Sequence, residues 1–108
     1  MQGVRTGRPD WNALYCQHDH LVRIAPTVGA RVSRAAILSH INGPHVALRE
    51  LDRFCRQTTT YAPAWVLKGN LLVDLNRVDE ARNAFTRALA LATNSSERDY
   101  LQQQLDRL

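Results

Sequence analysis

Apolar residues recur every three or four positions along most of the chain, and alternating strand-like runs are nearly absent. This spacing predicts amphipathic helices, because residues three and four apart share one face of an α-helix. The first predicted helix begins after Asp10, whose side chain can accept a hydrogen bond from an unpaired amide, and it ends before Pro26. Similar segments follow to Leu108. The pattern predicts an all-α protein of about six helices.

Short runs of turn-forming residues separate the predicted helices. Asn42–Pro44 reads NGP, in which Asn and Gly tolerate a left-handed cap and Pro suits the first turn of the next helix. The third helix ends in three threonines before Tyr61. The sequence NRVD forms the next turn, and its last residue, Asp79, is predicted to cap the fifth helix. Connections this short favour antiparallel packing of successive helices.

The helical pattern repeats along the chain at a fixed interval. When the sequence is aligned with itself after a shift of about 34 residues, Leu38 falls on Leu72 and Ala47 falls on Ala81. A helix–turn–helix unit of this length, about 34 residues, is typical of the tetratricopeptide repeat. The chain resembles tetratricopeptide proteins, and the resemblance implies antiparallel helix hairpins stacked as a short right-handed solenoid.

The repeat pattern divides the chain into a short leader and one helical domain. Residues 1–9 are predicted to be a flexible segment, and residues 10–108 are predicted to form a single tetratricopeptide-like domain. The last helix has one polar face, as the open end of a stack requires. The predicted units are a half repeat at 10–27, repeats at 28–61 and 62–95, and a capping helix at 96–108.

The second full repeat carries a glycine, Gly69, near the middle of its first helix. A glycine there costs ~1 kcal/mol relative to alanine, so close packing must offset the cost. The resemblance places Gly69 where the two helices of a repeat approach each other, with Phe85 or Ala88 packing towards it. The residues assigned to this repeat packing are Trp65, Gly69, Leu72, Ala81, Phe85 and Ala88.

Composition narrows the class of protein. The chain has 108 residues, of which 44% are hydrophobic and 22% charged, as is ordinary for a single globular domain. No apolar run approaches the ~20 residues that span a bilayer, and the N-terminus lacks the apolar core of a secretory signal. We therefore expect a cytoplasmic protein with no membrane partner, in which Cys16 and Cys55 are small buried hydrophobic residues.

The net charge of +4 lies in the first half of the chain. Eight arginines and four acidic residues precede Thr58, whereas six basic and six acidic residues follow from there. Arg49, Arg53 and Arg56 are expected on one helical face. Glu50 and Asp52 interrupt the helix nearby, and neither a helix-turn-helix nor an aromatic stacking platform accompanies the arginines, so no direct nucleic-acid binding is expected. A solvated helix face and a contact with an acidic partner both stay open.

No residue pattern indicates catalysis, a metal site or a cofactor. The chain lacks the G-x-S-x-G nucleophile motif, a phosphate-binding glycine loop and the H-E-x-x-H zinc motif. Cys16 and His20 can share a helix face, but a structural zinc site needs four ligands. We expect a protein without enzymatic activity, metal ion or cofactor.

Peptide binding is the usual role of tetratricopeptide proteins, in which the first helix of each unit lines a concave groove. The resemblance implies a mildly apolar groove here, suited to a helical or extended segment. The cations that clamp a terminal carboxylate in chaperone-docking members are missing. Contact with neighbouring helices is the alternative interpretation of the same residues. The residues assigned to the groove are Val32, Ala36, Ser39, His40, Val66, Asn70, Val73 and Asp74.

A narrower resemblance covers Asp10 to Leu108. It is based on the order and spacing of DW, LY, SRAAI, GP, ALRELD, RVDEARNAFTRALALA and SERDYLQQQLDRL. These motifs resemble the C-terminal extension of extracytoplasmic-function sigma factors. The resemblance implies a protein–protein interaction module that regulates transcription initiation through contacts with RNA polymerase, the other sigma domains or a regulator. The alternative is a free-standing tetratricopeptide adaptor, and the sequence specifies neither a partner nor an oligomeric state.

Overall fold

The computed structural model describes residues 10–108 apart from the side chains of Cys55 and Gln57, and the segment 1–9, predicted to be flexible, lies outside the described residues. Within this range the chain is all-helical and has no strand, which confirms the predicted all-α fold. None of its helices is both long enough and apolar enough to cross a membrane. The helices are α1 (Trp11–Ile24), α2 (Val28–Asn42), α3 (Pro44–Asp52), α4 (Cys55–Thr58), α5 (Ala62–Asp74), α6 (Val78–Leu91) and α7 (Ser95–Arg107).

The third predicted helix is divided in two, so the described residues form seven helices instead of about six. The backbone of Phe54 leaves the helical region, with φ −115° and ψ 26°. The amides of Arg53 and Phe54 donate to carbonyls three residues earlier, the tighter bonding that closes many helix ends. The Phe54 side chain is buried, so the break between α3 and α4 directs an aromatic ring inwards.

Two of the predicted helix caps have different outcomes. The carboxylate of Asp10 accepts the N–H of Ala13 at 3.1 Å, which confirms Asp10 as the cap of α1. The prediction for Asp79 is wrong, because the N-cap of α6 is Arg77, two residues earlier, and the helix begins at Val78. Asp79 lies inside the first turn, where a negative charge interacts favourably with the helix dipole.

A residue in the left-handed conformation ends α5. Asn76 has a φ of 60°, and its amide donates to the carbonyl of Val73 at 3.0 Å. The amide of Arg77 donates to the carbonyl of Leu72 at 2.8 Å. These two bonds form a Schellman motif, in which glycine is preferred and asparagine is tolerated at the left-handed position. The motif reverses the chain within two residues, which is why α6 begins before Asp79.

Replacement of Asn76 by alanine is expected to lower the free energy of unfolding by about 1 kcal/mol, because alanine is strained in the left-handed region. Asn76→Gly is the matched control, and its free energy of unfolding is expected to stay within about 0.5 kcal/mol of the wild-type value. Urea unfolding followed by circular dichroism measures both. Equal stability of the alanine and glycine variants would contradict the strain argument.

The helices pack as successive hairpins around a continuous core. α1 packs on α2, α2 on α3, α5 on α6, and α6 on α7, while α2 and α3 also contact α5. Leu72 of α5 and Phe85 of α6 are the largest fully buried side chains. Because α5 contacts both helices of the preceding hairpin, it is the central element of the stack.

Gly69 brings α5 and α6 close together. A Cβ atom at this position would lie 2.7 Å from both Cε1 and Cζ of Phe85, well inside the optimal separation of two carbon atoms. The Phe85 side chain is 0% exposed, and Ala81 and Ala88 on the same helix are also fully buried. The nearest neighbour of the glycine is thus Phe85, not Ala88. Trp65 is half-buried on α5.

Arg34 connects three helices through ion pairs. Its Nη1 donates to Asp19 Oδ1 of α1 at 2.9 Å, and its Nη2 donates to Glu50 Oε2 of α3 at 2.8 Å. Only 14% of the Arg34 side chain is exposed. Asp19 also pairs with Arg23, and Glu50 with Arg53. The two carboxylates therefore compensate part of the positive charge that these three arginines bring to the first half of the chain.

Candidate functional site

An open cleft of about 400 Å³ lies between α2, α5 and α7. α2 and α5 form two of its sides, and the first two turns of α7 form the third. Its lining is predominantly apolar, and the polar side chains in it are those of Ser33, Asn70 and Glu97. The lining residues are Val32, Ser33, Ala36, Ala62, Pro63, Val66, Leu67, Asn70, Glu97, Tyr100 and Leu101.

Equivalent positions of the repeat period meet in the cleft. One repeat length separates Val32 from Val66, and the same length separates Val66 from Tyr100. Each of these residues lines the cleft from a different helix, namely α2, α5 and α7. Ser33, Leu67 and Leu101 form a second set of the same kind and lie directly beside the first. The three helices therefore present corresponding turns to one shared space.

Four of the eight residues predicted for the groove line this cleft, namely Val32, Ala36, Val66 and Asn70. The lining residues of α2 and α5 lie towards the N-terminal parts of those helices, and α7 contributes only its first two turns. The other four predicted residues lie farther along α2 and α5, outside the lining: Ser39, His40, Val73 and Asp74.

The residues outside the cleft have other surroundings. Ser39 Oγ donates to the carbonyl of Ala36 at 2.6 Å, which is a bond within α2. The ring of His40 stacks on Trp11 with 3.9 Å between the ring centroids, so it contacts α1. Val73 and Asp74 are exposed in the last turn of α5.

The contribution of α7 to the cleft is not predicted by the repeat assignment. Residues 96–108 are interpreted there as a polar capping helix, yet Tyr100 and Leu101 line the cleft, and Tyr100 is 43% exposed. One further step of the repeat period from Val66 and Leu67 reaches these two positions. The period itself could therefore have predicted them, because α7 occupies the place of the first helix of a third unit.

The polar groups of the cleft differ in their availability. Glu97 is engaged at the start of α7, where its amide donates to Asn94 Oδ1 at 2.9 Å and its carboxylate accepts the amide of Thr93 at 3.3 Å. This arrangement resembles a capping box, except that the carboxylate accepts from the residue before the cap, and it fixes the helix end. The Asn70 side chain makes no hydrogen bond within residues 10–108. Its amide can both donate to and accept from a peptide group.

The arginines of α3 and α4 do not form the single helical face that the sequence predicts. α3 ends at Asp52, so Arg49 belongs to α3 whereas Arg56 belongs to α4. Arg53 lies between the two helices and pairs with Glu50 at 3.2 Å. The break in the helix thus separates charges that a continuous helix would align.

The groups with a shifted pKa lie outside the cleft, at the turn between α5 and α6. A side-chain hydrogen bond from Arg77 holds the pKa of Glu80 below its ordinary value, and the same bond raises the pKa of Arg77. Both side chains are exposed, so this pair stabilises the turn and does not tune a reactive group.

Among the described residues, the histidines and Cys16 do not form a metal-binding cluster. Within residues 10–108 no group of three His, Cys, Asp or Glu side chains is placed to hold a metal ion. His18 contacts the carbonyl of Leu14 through Nδ1 at 2.9 Å. The expectation of a buried Cys16 is wrong, because its side chain is exposed. The same prediction for Cys55 falls on a side chain outside those that the structure describes. α1 is an outer helix with no fully buried residue.

Comparison with known proteins finds a relative of greater length. The chain is 38% identical over 108 residues to an uncharacterized protein of Rhizobium meliloti (strain 1021). The match covers 97% of this chain and 26% of that protein, so the chain spans about a quarter of the relative's length. No family model and no solved structure matches the chain.

Proposed function

We propose that this chain is a tetratricopeptide-like protein-interaction module, and that the cleft between α2, α5 and α7 binds a segment of a partner protein. The observation that supports this function is the meeting of Val32, Val66 and Tyr100 in one lining. Three helices that present equivalent turns to a common space form a continuous binding surface, as stacked helical repeats do.

The chemistry of the lining favours a peptide segment with apolar side chains. Apolar groups on all three helices can bury such side chains, and burial of apolar surface is the main driving force for association. The Asn70 amide, which has no partner in the described chain, can hydrogen-bond to the peptide backbone of the segment. The nearby Glu97 carboxylate disfavours an acidic segment here.

The sequence resemblance extends the proposal to a biological setting. The module is proposed to be part of a bacterial sigma factor in the cytoplasm and to regulate transcription initiation through contacts with RNA polymerase or a regulator. The match to about a quarter of a longer relative supports a module that occurs joined to other sequence. A tetratricopeptide adaptor unrelated to transcription is the alternative.

Site-specific photocrosslinking in the bacterium that encodes the protein tests the cleft and its partner together. A benzophenone amino acid at Tyr100, inside the cleft, is expected to crosslink to a polymerase subunit or a transcription regulator. The same probe at Thr86, which is exposed on α6, serves as the control and is expected to give no such product. A crosslinked protein unrelated to transcription would favour the adaptor.

Val66→Glu is expected to lower the affinity for that partner roughly tenfold or more, because it places a charge in an apolar cleft. Asn70→Ala is expected to lower the affinity for the partner by a factor of about five, because it removes one hydrogen bond to the bound segment. Circular dichroism checks that both variants stay folded. Crosslinks that are equally strong from Tyr100 and Thr86, or that persist in folded Val66→Glu, would rule out the cleft as the binding site.

A further inference from the structure

Two cations face one indole ring on the side of α5 away from the cleft. Lys68 Nζ lies 5.4 Å from the centre of the Trp65 ring, and Arg87 Cζ of α6 lies 5.3 Å from it. At 3.6 residues per turn, Trp65 and Lys68 lie about 100° to 160° around the helix from Val66 and Asn70. The Trp65 surface is thus separate from the proposed peptide cleft.

These side chains border a second pocket, of about 240 Å³, between α5 and α6. Its wall includes Trp65, Lys68 and Arg87, together with the side-chain amide of Asn83 one turn before Arg87. Trp65 is fixed in place because its Nε1 donates to the carbonyl of Thr59 at 2.9 Å. The pocket therefore combines a fixed aromatic wall with two cations and an amide donor.

The charges of this pocket are unequally compensated. Lys68 pairs with Asp52 at 3.6 Å, which is a long and partly exposed contact. Glu80, which also borders the pocket, is bound to Arg77. Arg87 has no acidic partner within residues 10–108. Two like charges at one ring repel each other, and an anion between them would remove that repulsion.

We infer that the Trp65 pocket is a second recognition site, which binds a carboxylate side chain from an acidic segment of a partner protein. Arg87 offers paired donors that match a carboxylate, Asn83 adds an amide donor, and the indole covers the aliphatic part of an aspartate or glutamate side chain. A nucleic acid is disfavoured, because Trp65 is the one aromatic side chain among the described residues that line the pocket, so successive bases have no platform on which to stack. The inference does not depend on the function proposed for the cleft.

Tryptophan fluorescence gives a direct test. The chain contains two tryptophans, so Trp11→Phe leaves Trp65 as the sole reporter. A six-residue peptide of alternating glutamate and alanine with blocked ends is expected to change this fluorescence on titration at low salt, and its glutamine counterpart is not. Lys68→Gln and Arg87→Gln are each expected to weaken the binding roughly fivefold or more.

Two further variants separate a built site from a general charge effect. Arg98→Gln on α7 removes the same charge elsewhere and is expected to change the affinity less than about twofold. Asp52→Asn frees Lys68 and is expected to tighten the binding about twofold to threefold, which a purely structural role of Lys68 would not produce. Equal losses in Arg98→Gln and Arg87→Gln, or equal binding of the neutral peptide, would overturn the inference.

Two competing occupants have their own outcomes. A ten-nucleotide thymidine strand that binds more tightly than the peptide, and loses affinity in Lys68→Gln and Arg87→Gln, would replace the carboxylate with a nucleic acid. Val66→Glu is expected to leave the acidic peptide bound, and a loss of binding there would mean that the peptide occupies the cleft. Val66→Glu and Asn70→Ala thus test the cleft proposal, whereas Lys68→Gln and Arg87→Gln test the Trp65 pocket, so either one can fail without the other.

Discussion

Replacement of Gly69 by alanine is expected to lower the free energy of unfolding by about 2 kcal/mol, although alanine is the better helix former. The added methyl group would lie 2.7 Å from two ring atoms of Phe85. That ring is fully buried and rigid, so it cannot move aside without displacing its neighbours. Overpacking costs about 1–3 kcal/mol, and we place this site at the upper end, where it outweighs the gain of ~1 kcal/mol in helix propensity.

Urea unfolding of a double-mutant cycle with Phe85→Leu measures this contact. Leucine lacks the ring atoms nearest to Gly69, so it leaves room for the added methyl group. The double variant is therefore expected to lose about 1 kcal/mol or more less free energy of unfolding than the two single losses added together. A Gly69→Ala protein that is more stable than the wild type would show that helix propensity dominates and that the two helices can separate at little cost.

The second large effect is expected from Arg34→Met, which should lower the free energy of unfolding by about 2–3 kcal/mol. Methionine retains much of the side chain's apolar length but leaves Asp19 and Glu50 without the guanidinium that joins them. These carboxylates are only 27% and 17% exposed, so water cannot fully replace the lost partner. Arg23 and Arg53 keep one ion pair each, which places the loss below that of an isolated buried pair.

Two companion variants test whether the effect of Arg34 comes from its position. Arg49→Met removes the same charge from an exposed site on α3 and is expected to change stability by less than about 0.5 kcal/mol. Arg34→Lys is expected to fall between the two, because an ammonium group lacks the planar fork that reaches both carboxylates. Similar losses for Arg34→Met and Arg49→Met would mean that the network across α1, α2 and α3 contributes nothing of its own.

The sequence predicts those features whose causes are local. Helical spacing and the Asp10 cap each depend on a few neighbouring residues. Gly69 is also interpretable, because a glycine inside a strongly helical stretch implies a close approach. The break at Phe54 was missed, because it depends on where the ring is buried, and no local signal marks it.

The candidate site is only half predictable for a related reason. Val66 and Asn70 follow from the repeat resemblance, whereas Tyr100 was assigned to a cap because α7 looks polar. Which turns of a helix line a cleft depends on where the neighbouring helix crosses it. The pairing of Lys68 and Arg87 at Trp65 likewise joins two helices, and helical periodicity treats each helix by itself.

The glycine contact has a consequence for how the cleft can open. Phe85 packs directly against the backbone of α5 at Gly69. Sliding of α5 along α6 would require this buried ring to move, so we expect the two helices to move together as one rigid body. Any widening of the cleft must therefore come from α2 or α7 swinging about this hairpin. A bulkier segment could bind only if the linkers before α5 and before α7 bend. We therefore expect these two linkers to act as the hinges when the cleft widens.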